Sequence, residues 1–140
     1  MILDNTTTTF EMQAASNPSA AVPFLVTFYE QVGAQMISPK TSGMKWPNPQ
    51  KSMGQLASGG TATVTALAAP GAGKRRIIST VSMRNASSGT VIYKARVLDS
   101  TESPTSAELR FSLATGDMLF YNGGPNGGTW RVLDSFGRER

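Results

Sequence analysis

Hydrophobic and polar side chains alternate in short runs along the second half of the chain, and turn-forming clusters separate the runs. Thr61 to Leu67 alternates hydroxyl with apolar residues at period two, the pattern of a half-buried strand. Pro70-Gly71-Ala72-Gly73 breaks it. From Arg75 to Asn85, Ile77, Val81 and Met83 share one face, and Arg76, Thr80, Ser82 and Arg84 share the other. After an Ala86–Gly89 turn, Val91, Tyr93, Ala95 and Val97 alternate with Lys94 and Arg96. Beyond a polar loop, Ala107, Leu109, Phe111 and Leu113 point inward in the same way. Met118-Leu119-Phe120-Tyr121 is apolar on both faces, as in a central or interface strand. Asn122 to Gly128 reads as a glycine-rich loop, and Trp130-Arg131-Val132-Leu133 as a last strand. Six strands at intervals of roughly 10–15 residues predict an all-β fold, an antiparallel β-sandwich or jelly-roll-like domain over residues 61–140.

The first sixty residues follow a different pattern. Thr6 to Met12 predicts an isolated strand, and Val22 to Tyr29 a stronger one with Pro23 near its start, which favours an edge. Residues 33–60 show no sustained period, so they predict an extended N-terminal arm or long loop ordered by a neighbour. Residues 1–60 thus form a separate region, unless the 22–29 strand joins the sandwich. Phe24 and Phe28 alternate with Leu25 and Tyr29, giving large apolar groups on both faces of that strand. An edge strand of this kind needs a cover, and Trp46 beside Pro47 is a good anchor for a partner's pocket. Phe24, Phe28, Tyr29 and Trp46 are therefore the candidate protein-interface residues.

Composition sharpens the functional reading. The 140 residues contain no Cys and no His, which excludes thiol chemistry, Cys- or His-held metals and histidine general bases. Ser, Thr and Ala number fifteen each, and only 16% of residues are charged, against about 25% in an average domain. The net charge of +4 lies wholly in residues 74–140, where ten Lys and Arg face six Asp and Glu. Lys74, Arg75, Arg76, Arg84, Lys94 and Arg96 make a candidate basic contact face, without the interleaved aromatics that nucleic-acid sheets use for base stacking. An ordinary solvated face, or one matched to an acidic protein, is preferred, and specific nucleic-acid binding is not expected.

Other possible sites dissolve on inspection. Gly71-Ala72-Gly73-Lys74 resembles the end of a phosphate loop, but Ala68 and Arg75 stand where Gly and Ser or Thr are needed. Asp99 and Glu102 share a loop that reads as a plain polar turn rather than a calcium site. Tyr121 and Trp130 offer a glycan platform, with core aromatics as the simpler reading. Asn5-Thr6-Thr7 and Asn85-Ala86-Ser87 match the glycosylation sequon, but without a secretory signal both read as chance. No catalytic, cofactor or metal site is expected, no stretch is long and apolar enough for a membrane helix, and no enzyme activity is predicted.

Three stretches resemble small virion structural proteins of tailed bacteriophages: Val22 to Tyr29; Ala68 to Ile78 running into Ser82-Met83-Arg84-Asn85; and Gly116 to Tyr121 followed by Gly128 to Asp134. The resemblance implies a non-enzymatic capsid cement or decoration protein. It implies a position on the capsid surface of a virion assembled in the bacterial cytoplasm. Its partners would be the major capsid protein, other virion proteins and further copies of itself in a homo-oligomer. The alternatives are a tail, neck or fibre-base component touching a host receptor or glycan, and a nucleic-acid-binding protein.

Overall fold

The computed structural model describes residues 1–32, 35–37, 49–99 and 108–140. Their eleven strands are β1 (Ile2–Leu3), β2 (Thr8–Ala14), β3 (Val22–Val32), β4 (Gln35–Ile37), β5 (Gln50–Leu56), β6 (Val64–Leu67), β7 (Lys74–Arg84), β8 (Val91–Asp99), β9 (Glu108–Leu113), β10 (Met118–Gly124) and β11 (Gly127–Leu133). They form two antiparallel sheets packed as a β-sandwich, as the alternation predicts. The seven-stranded sheet runs β11-β10-β7-β3, with β5 and β4 in line along the far side of β3 and β1 beside β7. The four-stranded sheet runs β6-β2-β8-β9.

The chain does not divide at residue 60. β3 is central, paired with β7 over its whole length on one side and with β5 and β4 on the other. The predicted isolated strand is β2, which lies between β6 and β8. The expected 33–60 arm contains β5, a seven-residue edge strand. Its sequence hides it because Gln50 to Leu56 buries only Leu56, and the ring of Phe24 lies over Gly54, leaving no apolar alternation to read. Trp46 lies outside the described residues.

Inward side chains alternate strictly on the long strands. Phe10, Met12 and Ala14 of β2 meet Phe24, Val26 and Phe28 of β3 in one core with Val91, Tyr93 and Leu119. On β7 the predicted parity fails midway. Thr27 pairs with Thr80, and Phe28 with Ile78, so Ser79 is an extra, bulged residue. The bulge puts Ile78 in the core with Val81 and Met83 and turns Ile77 to the opposite face, where it pairs with Tyr29 and Ile2. Hydroxyls pin the bulge: Thr27 Oγ1 lies 2.8 Å from Ser79 Oγ and also bonds Thr80 Oγ1.

The stretch expected as a loop at 122–128 is mostly ladder. β10 and β11 pair through Gly123 and Gly128 to a two-residue Pro125-Asn126 turn, with Gly127 at φ 102°. The Tyr121 phenol covers the two glycines. A Cβ on Gly123 would sit 2.6 Å from Tyr121 Cζ, and one on Gly128 2.5 Å from its Oη. The aromatic ring supplies the packing that the glycines lack, so a glycine run becomes a strand pair.

One end of the sandwich is joined by a buried carboxamide. Asn85 follows β7 and is 1% exposed. Its Nδ2 donates to the carbonyls of Leu113 (2.8 Å) and Gly89 (3.0 Å). Its Oδ1 accepts from the Tyr93 hydroxyl (2.7 Å) and the Ser87 amide (3.0 Å). Its backbone bonds Asp117 and Gly116 in the β9–β10 turn. Burial pushes the Tyr93 phenol's pKa up, so that hydroxyl stays a neutral donor.

Two stability outcomes follow from this packing. Asn85→Ala removes the side-chain partner of three buried polar groups and of the exposed Gly89's carbonyl, and should cost roughly 2–4 kcal/mol, measured by chemical denaturation. Gly128→Ala forces a methyl into Tyr121 Oη and the Asn122 carbonyl, and should cost on the order of 1–3 kcal/mol. Tyr121→Ala in the Gly128→Ala background should then cost less than it does alone, because removing the phenol relieves the clash that the methyl creates.

Candidate protein interface

The structure redistributes the residues expected at an interface. Phe24 and Phe28 are each 5% exposed and belong to the core, because β3 is flanked on both sides and its even-numbered positions face the opposite sheet. Tyr29 is half-buried on the outer face.

The six basic residues do not form one face either, since β7 and β8 belong to different sheets. Arg76 points inward at the sandwich end, where it pairs with Glu30 (3.4 Å), lies 5.0 Å from the Phe28 ring centroid and donates to the Ala68 carbonyl. Arg75 donates to the Gln31 side chain. Lys94 and Arg96 lie on the outer face of the four-stranded sheet, paired with Glu108 (3.5 Å) and Glu11 (2.9 Å). Arg110 also reaches Glu108 at 3.3 Å. Three cations and two carboxylates therefore satisfy one another on that face. Lys74 and Arg84 are exposed.

The remaining candidates take structural roles. Gly71 to Lys74 is a turn into β7, with Gly73 at φ 73° and no helix to cradle a phosphate. Asp99 accepts from Thr7 Oγ1 (2.7 Å) and Asn5 Nδ2 (3.3 Å), while Glu102 lies outside the described residues. Tyr121 is buried, and the Trp130 ring packs 5.0 Å from it, 5.1 Å from Phe111 and 6.5 Å from Phe10. Trp130 thus ties β11 to the opposite sheet, and the pair offers no glycan platform. The Asn85 amide of the second sequon is spent on two carbonyls. Among the described residues no group of three or more Asp and Glu could hold a metal.

What the strands do bring together is the outer face of the seven-stranded sheet. Across it, Met53, Leu25, Ser82, Phe120 and Arg131 fall in one row by register. Pro23 and Gln55 stand beyond Leu25 and Met53, with Met118 beside Arg84 on the same side. Met53 is 76% exposed. An open hollow of about 350 Å³ lies over this side of the sheet, lined by Pro23, Leu25, Met53, Ser82, Arg84 and Met118. This grouping makes the outer face of the seven-stranded sheet the candidate interface; the opposite outer face carries the ion pairs and one exposed apolar side chain, Ile92.

The sequence held part of this signal. Two runs, Val22 to Tyr29 and Met118 to Tyr121, are apolar on both faces, and their outward members Leu25, Met118 and Phe120 belong to this surface. Met53 and Arg131 gave none, since only pairing places them beside those runs. The chain matches no protein-family model, no curated protein and no solved structure.

The C-terminal turn lies beside this sheet and carries a titratable lock. Asp134 Oδ1 accepts the amides of Arg138 and Phe136 at 2.9 Å each, and Oδ2 accepts Arg138 Nε at 3.0 Å. The Arg138 backbone bond foremost, with the Phe136 bond and the guanidinium, holds the carboxyl below an aspartate's usual 3.8. A depressed carboxyl pKa contributes stability above the unfolded value and loses it as pH falls through the folded one. The turn should therefore stay closed down to pH 3.8 and open only below it. Backbone amide shifts of Phe136 and Arg138 followed by NMR should show one transition below 3.8, and a midpoint at or above 3.8 contradicts the lock.

Proposed function

We propose that this protein is a non-enzymatic structural component of a tailed-phage virion, a cement or decoration protein that docks on the capsid shell through the outer face of its seven-stranded sheet. The observation that carries the reading is the asymmetry of the two outer faces. One carries a network of ion pairs with Ile92 its exposed apolar residue, whereas the other groups Met53, Leu25 and Met118 around a hollow, with Met53 76% exposed. A rigid sheet presents such side chains with little ordering cost on binding, which suits a part that clamps neighbouring subunits. The sequence resemblance supplies the virion setting, and the sandwich agrees with it.

Docking on a sheet face differs from the mode that the sequence favours. Strand addition through an N-terminal edge would need β3 free, and β3 is fully paired. The bonds available for binding are therefore side-chain contacts, with burial of a Met or Phe contributing about 1.5–3 kcal/mol each.

Met53→Glu tests this directly. Met53 is exposed, so the melting temperature should shift by less than the equivalent of about 0.5 kcal/mol. Binding to shells prepared without the protein, measured by co-sedimentation, should weaken about tenfold or more. Rebinding of the variant with unchanged affinity, or recovery of the protein with tails instead of shells, refutes the proposal.

A further inference from the structure

The charges around the apolar hollow define what kind of surface it accepts. Lys51, Arg84 and Arg131 occupy outward positions of β5, β7 and β11, and all three are exposed. None has an ion-pair partner among the described residues. Among the described residues the strands β3, β5, β7, β10 and β11 carry no outward Asp or Glu, Glu30 facing inward to Arg76; one carboxylate, Glu139, joins the face at the β11 edge, where it bridges to Leu133 in the row of Met118 and Arg84. Lys51 stands at the β5 edge, Arg131 at the β11 edge and Arg84 at the end of β7. The cations rim the apolar centre from three sides.

Resting on the docking face proposed above, we infer that this face recognises a protein surface of the opposite pattern, an apolar centre bordered by carboxylates, and that a second copy of the chain does not fill it. A two-fold contact would gather Lys51, Arg84 and Arg131 of both copies, six cations, with only the Glu139 of each copy to offset them. Desolvating unpaired cations is unfavourable, so the same rim that attracts an acidic partner rejects self-pairing. Any homo-oligomer must use a different surface. Apolar burial supplies affinity at the centre, and the rim supplies orientation and partner choice.

The test uses the whole chain and two cyclic hairpin peptides of equal length. Both present Leu, Met and Phe on one face; one carries four Glu at its rim and the other four Lys. Amide shifts of the isotopically labelled protein should report binding of the Glu peptide at Leu25, Met53, Ser82 and Phe120. Its affinity should exceed that of the Lys peptide about tenfold at low salt, and the gap should shrink to about twofold at 0.5 M salt. The double substitution R84E/R131E, at two exposed positions, should reverse the preference, and its unchanged melting curve would show that the fold survives. Equal binding of both peptides, binding of neither at millimolar concentration, or shifts elsewhere overturns the inference. So do concentration-dependent shifts of the free protein at these four residues, which would reveal self-pairing. Because no capsid is present, success here with failure of shell rebinding would keep the face and discard the virion setting. The converse would keep the setting and discard the charge rule.

Discussion

The fold depends on one fully used carboxamide. Two sheets that meet only through apolar side chains can slide, because burial is non-directional. Asn85 removes that freedom at one end of the sandwich. It leaves β7 in the seven-stranded sheet, binds Tyr93 and the Leu113 carbonyl in the four-stranded sheet, and holds the β9–β10 turn with its backbone. A buried amide meeting four partners at 2.7–3.0 Å fixes the relative position of those strands more sharply than the surrounding methyl groups do. The neighbouring Ser87 hydroxyl extends the same network to the Ser19 amide, so the β2–β3 connection is held by it as well.

From that fixed end, registry passes along β7 to the docking face. Arg84 precedes Asn85 directly and pairs with Met118, which follows the buried Asp117 in the same turn. Asp117 accepts the Ala114 amide at 2.8 Å and is bonded by Arg140, so the turn is closed from both sides. The backbone that carries Arg84 and Met118 at the end of the hollow is thus held by buried polar contacts. Preorganisation of this kind reduces what a partner must order on binding.

Most of the fold was legible because alternation reports burial wherever a strand has one wet face. β6 and β8 announce themselves in this way, while β3 and β10 show as short runs apolar on both faces. Failures occur where another interaction replaces alternation. At Gly123 and Gly128 the Tyr121 ring does the packing, so a strand pair looks like a loop. At Ser79 an extra residue resets the parity, and the face assigned to Ile77 inverts. β5 is a polar edge strand placed only by pairing with β3. The functional residues were less legible still. Sequence shows that Phe24 and Phe28 are large and apolar, but the same signal serves core and interface, and only the flanking of β3 by β5 and β7 separates the two.

That distinction changes what the basic excess means. Read along the chain, ten cations in residues 74–140 look like one basic region. Folding sorts them by sheet and by face. Arg76, Lys94, Arg96 and Arg110 are neutralised by Glu30, Glu108 and Glu11, and Arg138 and Arg140 by Asp134 and Asp117. The cations left unpaired on the seven-stranded sheet's outer face are few, but they stand on the same face as the exposed Met53 and the half-buried Leu25, Met118 and Phe120. A charge next to an apolar surface is felt most strongly once a partner excludes water, since the local dielectric then falls. Net charge spread through bulk solvent would govern only encounter. In the proposed docking, three cations placed here would govern which apolar surface stays bound.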